Sequence, residues 1–66
     1  MQITLNGEAR EVREGETVLG LLESLGLDPG RVAVELDRAI LKRPEWGTRV
    51  LAPGSALEVV HFVGGG

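Results

Sequence analysis

The 66-residue sequence contains no cysteine. Without a thiol, the chain cannot form a disulfide, a thiolate zinc site or a cysteine nucleophile. Aromatic residues are also scarce, since Trp46 and Phe62 are the only ones. The chain has seven basic and ten acidic residues, which give a formal net charge of −3. Nucleic-acid binding needs a basic surface and stacking aromatics, so we expect no nucleic-acid partner.

Long apolar segments and catalytic side chains are missing as well. No apolar run approaches the roughly 20 residues that span a bilayer, and no charged-then-apolar signal segment opens the chain. We therefore expect no membrane association and a cytoplasmic location. His61 is the single histidine, and the nearest carboxylate, Glu58, falls on the opposite face of the same predicted strand. Neither a metal site nor an enzyme active site is expected.

What the chain does contain is the composition of one small globular domain. Hydrophobic residues make up 42% and charged residues 26% of the sequence. This hydrophobic fraction is higher than that of disordered chains. Residues 1–63 are predicted to form this domain, and residues 64–66 a flexible glycine tail.

The first twelve residues have the pattern of a β-hairpin. Residues 1–5 alternate apolar and polar side chains, as a half-buried strand does. The Asn6-Gly7 pair that follows favours a type I′ turn, because both central positions of that turn need positive φ. Residues 8–12 are predicted to return antiparallel, and Asn6-Gly7 is assigned a role in the turn alone.

A helix is predicted over residues 17–25. Thr17 is placed to cap its N-terminus, and Gly26 lies where a glycine in left-handed conformation commonly ends a helix. The apolar residues recur at helical spacing and predict one buried stripe: Val18, Leu21, Leu22 and Leu25.

The second half of the chain is rich in strand patterns. Strands are predicted at 32–36, 39–41 and 56–63, with a short edge strand at 48–51, a turn at Asp37-Arg38 and another at Pro53-Gly54. Trp46 is expected in a small core extension under the 42–47 loop. One helix can cover one face of such a sheet, so we predict an α+β fold. Its mixed sheet of four or five strands has the apolar first and last strands parallel at the centre.

The last strand has two distinguishable faces. Leu57, Val59 and His61 alternate with Glu58, Val60 and Phe62. Because burial of an unpaired carboxylate is costly, Glu58 should mark the solvent side. Val60 and Phe62 would then form an exposed apolar patch, and together with Glu58 they are the predicted docking residues for a partner. The alternative is the reverse polarity, with these two side chains in the core.

Three glycines, Gly64, Gly65 and Gly66, follow this strand directly. Glycines contribute no side-chain packing, so the segment suits a thin arm that threads a terminal carboxylate into a narrow site. A carboxylate is ionised and unreactive at neutral pH until another enzyme adenylates it. The competing interpretation is a frayed end without a function.

Six segments are informative when they are taken together and in order: Met1-Gln2-Ile3, Asn6-Gly7, Gly15-Glu16-Thr17-Val18 with Leu21-Leu22, residues 32–36, Arg43-Pro44-Glu45-Trp46 and the Gly65-Gly66 tail. In this combination the sequence resembles the ThiS family, sulfur carriers of thiamin biosynthesis with the β-grasp fold of ubiquitin. The resemblance covers nearly the whole chain, with two departures: three terminal glycines instead of two, and Asp37-Arg38 where an asparagine-glycine pair is expected.

This resemblance implies a carrier that is a co-substrate rather than an enzyme. An E1-like adenylyltransferase (ThiF-like) would use ATP to adenylate the Gly66 carboxylate. A persulfide donor would supply sulfur for a thiocarboxylate, and a thiazole synthase (ThiG-like) would accept that sulfur. The carrier itself would hold no cofactor.

Other functions share the same fold and tail. Sulfur carriers for molybdopterin synthesis or tRNA thiolation are the nearest alternatives. A ubiquitin-like modifier joined to lysines is a further one, and so is a plain β-grasp interaction domain with incidental glycines.

Overall fold

A computed structural model describes residues 1–62 of the chain. In these residues five strands form one sheet of order β2-β1-β5-β3-β4, and one α-helix covers it. The predicted α+β fold with a mixed sheet is confirmed. The elements are β1 (Gln2–Leu5), β2 (Glu8–Glu11), α1 (Val18–Ser24), β3 (Val32–Leu36), β4 (Ala39–Leu41) and β5 (Ala56–His61), with 3-10 turns at Pro29–Arg31 and Arg43–Glu45.

The two strands farthest apart in sequence are neighbours at the centre of the sheet. β1 and β5 run parallel, with Leu5 beside Leu57, whereas β2 pairs with β1, and β4 with β3, in antiparallel hairpins. β5 also pairs antiparallel with β3 from His61 to Leu57. The predicted central parallel pair is therefore confirmed, and β5 has a neighbour on each side.

Both hairpins turn through residues in the left-handed conformation. Asn6 and Gly7 have φ values of 51° and 82°, as the type I′ prediction requires. Asp37 and Arg38 repeat the conformation at 50° and 72°. Arg38 has a β-carbon that disfavours this region, so the second turn is the more strained of the two.

The helix begins and ends where the sequence predicts. The Thr17 hydroxyl accepts a hydrogen bond from the Gly20 N–H at 3.0 Å, and Gly26 has a φ of 74° just after the helix. Leu25 is the C-cap and packs against the core from a partly buried position. The buried side chains of the core are Ile3, Val18, Leu21, Leu22, Val32, Val34, Leu36, Leu41, Trp46, Leu51 and Leu57.

Trp46 extends this core beneath the loop, as predicted. Its side chain is 2% exposed, and its Nε1–H donates to the Leu41 carbonyl at 2.8 Å. The Arg43 guanidinium lies 5.0 Å from the indole centroid and donates to the carbonyls of Pro29 and Val32. These contacts fix the 42–47 loop against the start of β3.

The predicted edge strand at 48–51 is wrong. Only one isolated bridge forms there, between Thr17 and Val50, and Leu51 donates to the Glu16 carbonyl at 2.8 Å. Burial of Leu51 draws this segment beside the start of the helix and away from the sheet edge. The predicted last strand ends at His61 in the described chain, and Val63 lies outside the described residues.

Candidate functional site

The face of the sheet opposite α1, called the outer face here, exposes apolar side chains of β5. Val60 is 60% and Phe62 is 59% exposed, whereas Leu57, on the helix-facing side, is 1% exposed. Glu58 also lies exposed on the outer face. The sequence-based assignment of the two faces is therefore confirmed, and the reverse polarity is excluded.

Strand register adds residues that the sequence pattern did not reveal. Ala33 pairs with Val60, and Ile40, which is 78% exposed, pairs with Glu35. The two-residue turn between β3 and β4 fixes this register. The turn was therefore the feature of the sequence from which the position of Ile40 on the outer face could have been predicted. We use the term apolar patch for four residues: Ala33, Ile40, Val60 and Phe62.

Two carboxylates lie directly opposite one another beside this patch. Glu35 of β3 pairs in register with Glu58 of β5, and both are exposed. Neither belongs to an ion pair within residues 1–62. Like charges at directly opposite positions destabilise a sheet. The pair therefore weakens the isolated domain and favours a cationic group from outside it.

A groove of about 340 Å³ lies along the same part of the molecule. Its lining includes Ala33, Ile40 and Phe62 of the apolar patch together with Lys42 and Arg43. In the strand register Glu58, Glu35 and Ile40 follow one another across the sheet, so the patch adjoins two carboxylates, and the groove adds two basic side chains. Such an arrangement suits recognition of a protein surface with matching apolar and charged groups.

The apolar patch lies at the end of the chain where the glycine tail begins. The Phe62 N–H donates to the Arg31 carbonyl at 2.9 Å, so the last described residue is still attached to the β3 side of the sheet. The predicted tail residues Gly64, Gly65 and Gly66 lie outside the described residues. In the sequence, Val60 and Phe62, the predicted docking residues, thus come shortly before the segment that was predicted to react.

His61 lies exposed at the end of β5. In the part of the chain that the structure describes, no three histidine, cysteine or acidic side chains come together in a way that could hold a metal. No helix in that part is long and apolar enough to cross a membrane.

Comparison with curated proteins gives two thiazole synthases and one small carrier. The chain is 47% identical over 66 residues to a thiazole synthase of Magnetococcus marinus and 38% identical to one of Paramagnetospirillum magneticum, and it spans only 20% of the length of each. It is 29% identical over its whole length to the sulfur carrier protein ThiS of Escherichia coli, which it also covers completely.

Solved structures and a family model agree with this result. The crystal structure of the thiamine biosynthesis protein ThiS from Geobacter metallireducens matches with a TM-score of 0.86 at 33% identity, over all of both chains. The solution structure of a thiamine biosynthesis protein from the same organism matches at 0.82 over all of this chain and 88% of that one. The ThiS family model matches residues 3–66. The chain therefore belongs to the ThiS family.

Proposed function

We propose that the protein is a sulfur carrier whose Gly66 α-carboxylate becomes a thiocarboxylate. The observation that carries this proposal is the family match, which runs through residues 3–66 and so includes the three glycines. The name of the Escherichia coli relative, a sulfur carrier protein, supports it. The apolar patch at the start of the tail gives a partner a place to bind while the tail reacts.

The chemistry requires an activated acyl group. A carboxylate oxygen of Gly66 attacks the α-phosphorus of ATP in an E1-like adenylyltransferase, which releases pyrophosphate and forms an acyl adenylate. The terminal sulfur of a persulfide then attacks the acyl carbon and displaces AMP, which leaves an acyl disulfide. A second thiolate attacks the donor's sulfur, so that a disulfide departs and the Gly66 thiocarboxylate remains.

In this scheme the carrier supplies a binding surface and one reacting group. Its partners bind ATP and perform catalysis, so the carrier is a co-substrate that holds no cofactor of its own. The chain has no cysteine, and hence no side-chain thiol competes for the activated acyl group. Such a division between carrier and enzymes is consistent with a cytoplasmic protein without nucleic-acid or membrane partners.

The adenylyltransferase is proposed to dock on the outer face. Val60 and Phe62 supply apolar anchors, because buried apolar and aromatic side chains carry much of the energy of an interface. A basic side chain of the partner would lie between Glu35 and Glu58 and relieve their mutual repulsion.

Thiazole synthase is the proposed sulfur acceptor. The two relatives at 47% and 38% identity bear that name, and this chain corresponds to 20% of each. A carrier-like segment within the length of a thiazole synthase favours this acceptor over molybdopterin synthesis or tRNA thiolation.

Intact-mass spectrometry tests the proposal. The protein purified from its source is incubated with ATP, the cognate adenylyltransferase, a persulfide donor and a thiol. The wild-type chain should gain the mass difference of sulfur replacing oxygen, localised to the C-terminal peptide. Gly66→Val should react much more slowly while it keeps the fold, because a β-branched side chain stiffens and widens the tip. One residue added after Gly66 should be as damaging, because it moves the carboxylate out of register.

Three results would contradict the proposal. Sulfur could appear on an internal residue, the extended chain could react as fast as wild type, or the natural protein could continue beyond Gly66 without processing. Isopeptide-linked conjugates in cells would point instead to a ubiquitin-like modifier. Full activity after removal of Gly65 and Gly66 would point to a plain interaction domain.

A further inference from the structure

Asn6 makes contacts that a turn residue does not need. Its Oδ1 accepts a hydrogen bond from the Val59 N–H at 2.8 Å, and its Nδ2 donates to the Val59 carbonyl at 3.3 Å. Both partners belong to one residue that lies 53 positions later in the chain. The sequence-based assignment of Asn6 to the turn alone is therefore wrong.

These bonds extend the contact between β1 and β5 beyond the end of β1. The Asn6 N–H still donates to the Leu57 carbonyl at 2.8 Å, after which the main chain turns away at Gly7. The side-chain amide then satisfies the next pair of β5 main-chain groups on that side, those of Val59. The side-chain amide presents an N–H donor and a carbonyl acceptor side by side, as main-chain groups of a strand do, and so can replace a residue of a neighbouring strand.

A second turn residue holds the other end of β5. Asp37 donates its N–H to the Ala56 carbonyl at 2.8 Å, and its Oδ1 accepts from the Ala56 N–H at 2.9 Å. Asn6 and Asp37 are each the first central residue of a hairpin turn with positive φ. The two side chains therefore fasten the same strand, Asp37 at its start and Asn6 close to the tail.

We infer that Asn6 is a positioning residue for the C-terminal segment. Past Val59, the described part of β5 is held by its pairing with β3 and by the bond between Phe62 and Arg31. In that part of the chain, Asn6 makes the last hydrogen bonds to β5 from the β1 side. It thereby sets where attachment on both sides ends, and limits how far residues 60–62 can swing about β3.

The consequence for the reaction rests on the proposed function. If the Gly66 carboxylate must reach ATP in an adenylyltransferase, a defined starting point for the tail raises the fraction of encounters with correct geometry. Val60 and Phe62 keep their attachment to the β3 side when the Asn6 amide is removed, so the apolar patch should still bind the partner, whereas the strand end that leads to the tail becomes freer to swing about β3. Loss of the amide should therefore lower kcat for thiocarboxylate formation and leave KM nearly unchanged.

Two glycine substitutions form a matched pair for the test. Asn6→Gly and Asp37→Gly both keep a turn that needs positive φ, and each removes a side chain that binds β5. Amide hydrogen exchange is followed by NMR, with the Leu22 amide as a reporter of global unfolding. We expect exchange at Val59 to rise by roughly threefold to tenfold relative to Leu22 in Asn6→Gly, and exchange at Ala56 to rise similarly in Asp37→Gly.

The kinetic arm uses the assay for thiocarboxylate formation. Asn6→Gly should lower kcat by roughly threefold to tenfold, and Asp37→Gly should stay within about twofold of wild type. Asn6→Asp keeps the acceptor for the Val59 N–H but turns a carboxylate oxygen toward the Val59 carbonyl, so it should lose at least as much activity as Asn6→Gly. Equal kinetic losses in both glycine variants would show that Asn6 only stabilises the fold. Unchanged exchange at Val59, or a wild-type kcat in Asn6→Asp, would overturn the role given to the amide.

The two arms separate this inference from the proposed function. A wild-type chain that is never thiocarboxylated would overturn the proposed function, and with it the kinetic consequence of Asn6. Exchange at Val59 would still decide whether Asn6 holds the end of β5.

Discussion

The two faces of β5 consist of similar side chains in different surroundings. Leu57 is buried and Val59 packs against the core, whereas Val60 and Phe62 leave more than half of their surfaces exposed. Hydrophobicity alone does not explain the difference, because both faces carry apolar residues. A single helix covers one face only. Apolar residues on the other face therefore contribute little to folding and are available for association.

The largest expected effect is the loss of a side chain on the covered face. Leu57→Ala should lower the free energy of unfolding by about 2–5 kcal/mol, because it removes buried methyl groups and leaves a cavity. Val60→Ala on the same strand is the matched control and should change stability by less than about 1 kcal/mol. Chemical denaturation measures both, with Leu57→Val as the milder variant if Leu57→Ala does not fold. Equal losses at the two positions would contradict the comparison of the faces.

Substitutions on the exposed face should change stability less, but they should weaken binding of the partner strongly. Replacement of Val60 and Phe62 together by serine should leave the fold nearly intact and weaken binding to the adenylyltransferase by about tenfold or more. Calorimetric titration gives the affinity, and circular dichroism the fold. If the double variant binds as well as wild type, the outer face is not part of the docking site.

The smallest change in stability is expected when one of the two paired carboxylates is neutralised. Glu58→Gln should stabilise the free protein by a few tenths of a kcal/mol, because it removes repulsion from Glu35. The same change should weaken the complex with the adenylyltransferase. Glu8→Gln, on the exposed strand β2, is the control that removes one charge elsewhere. A complex that becomes stronger with Glu58→Gln would show that no cation of the partner lies between the carboxylates.

Local patterns in the sequence were sufficient for most of the fold. Alternation predicted β3 to the residue, Thr17 and Gly26 marked the ends of the helix, and Asn6-Gly7 gave the first turn. Each of these signals lies within a few neighbouring residues. Even the two faces of β5 followed from the position of one glutamate.

Features that depend on distant residues could not be predicted in this way. Ile40 joins the apolar patch only through the register of β3 and β4, and the bonds between Asn6 and Val59 connect residues 53 positions apart. Residues 48–51 have the composition of a strand, yet the burial of Leu51 places them beside the helix. In each case a tertiary contact, and no local pattern, decides the structure.

The central position of β5 also determines how the protein resists a pull on its end. Under the proposed function, a partner that drew residues 64–66 into its pocket would exert tension along the axis of the strand. Hydrogen bonds to β1 and β3 lie across that axis on both sides, so they carry the load together in shear and do not open one after another. A strand at the sheet edge would share the same load with a single neighbour. A pull on the end of the chain would therefore be resisted by two neighbouring strands together.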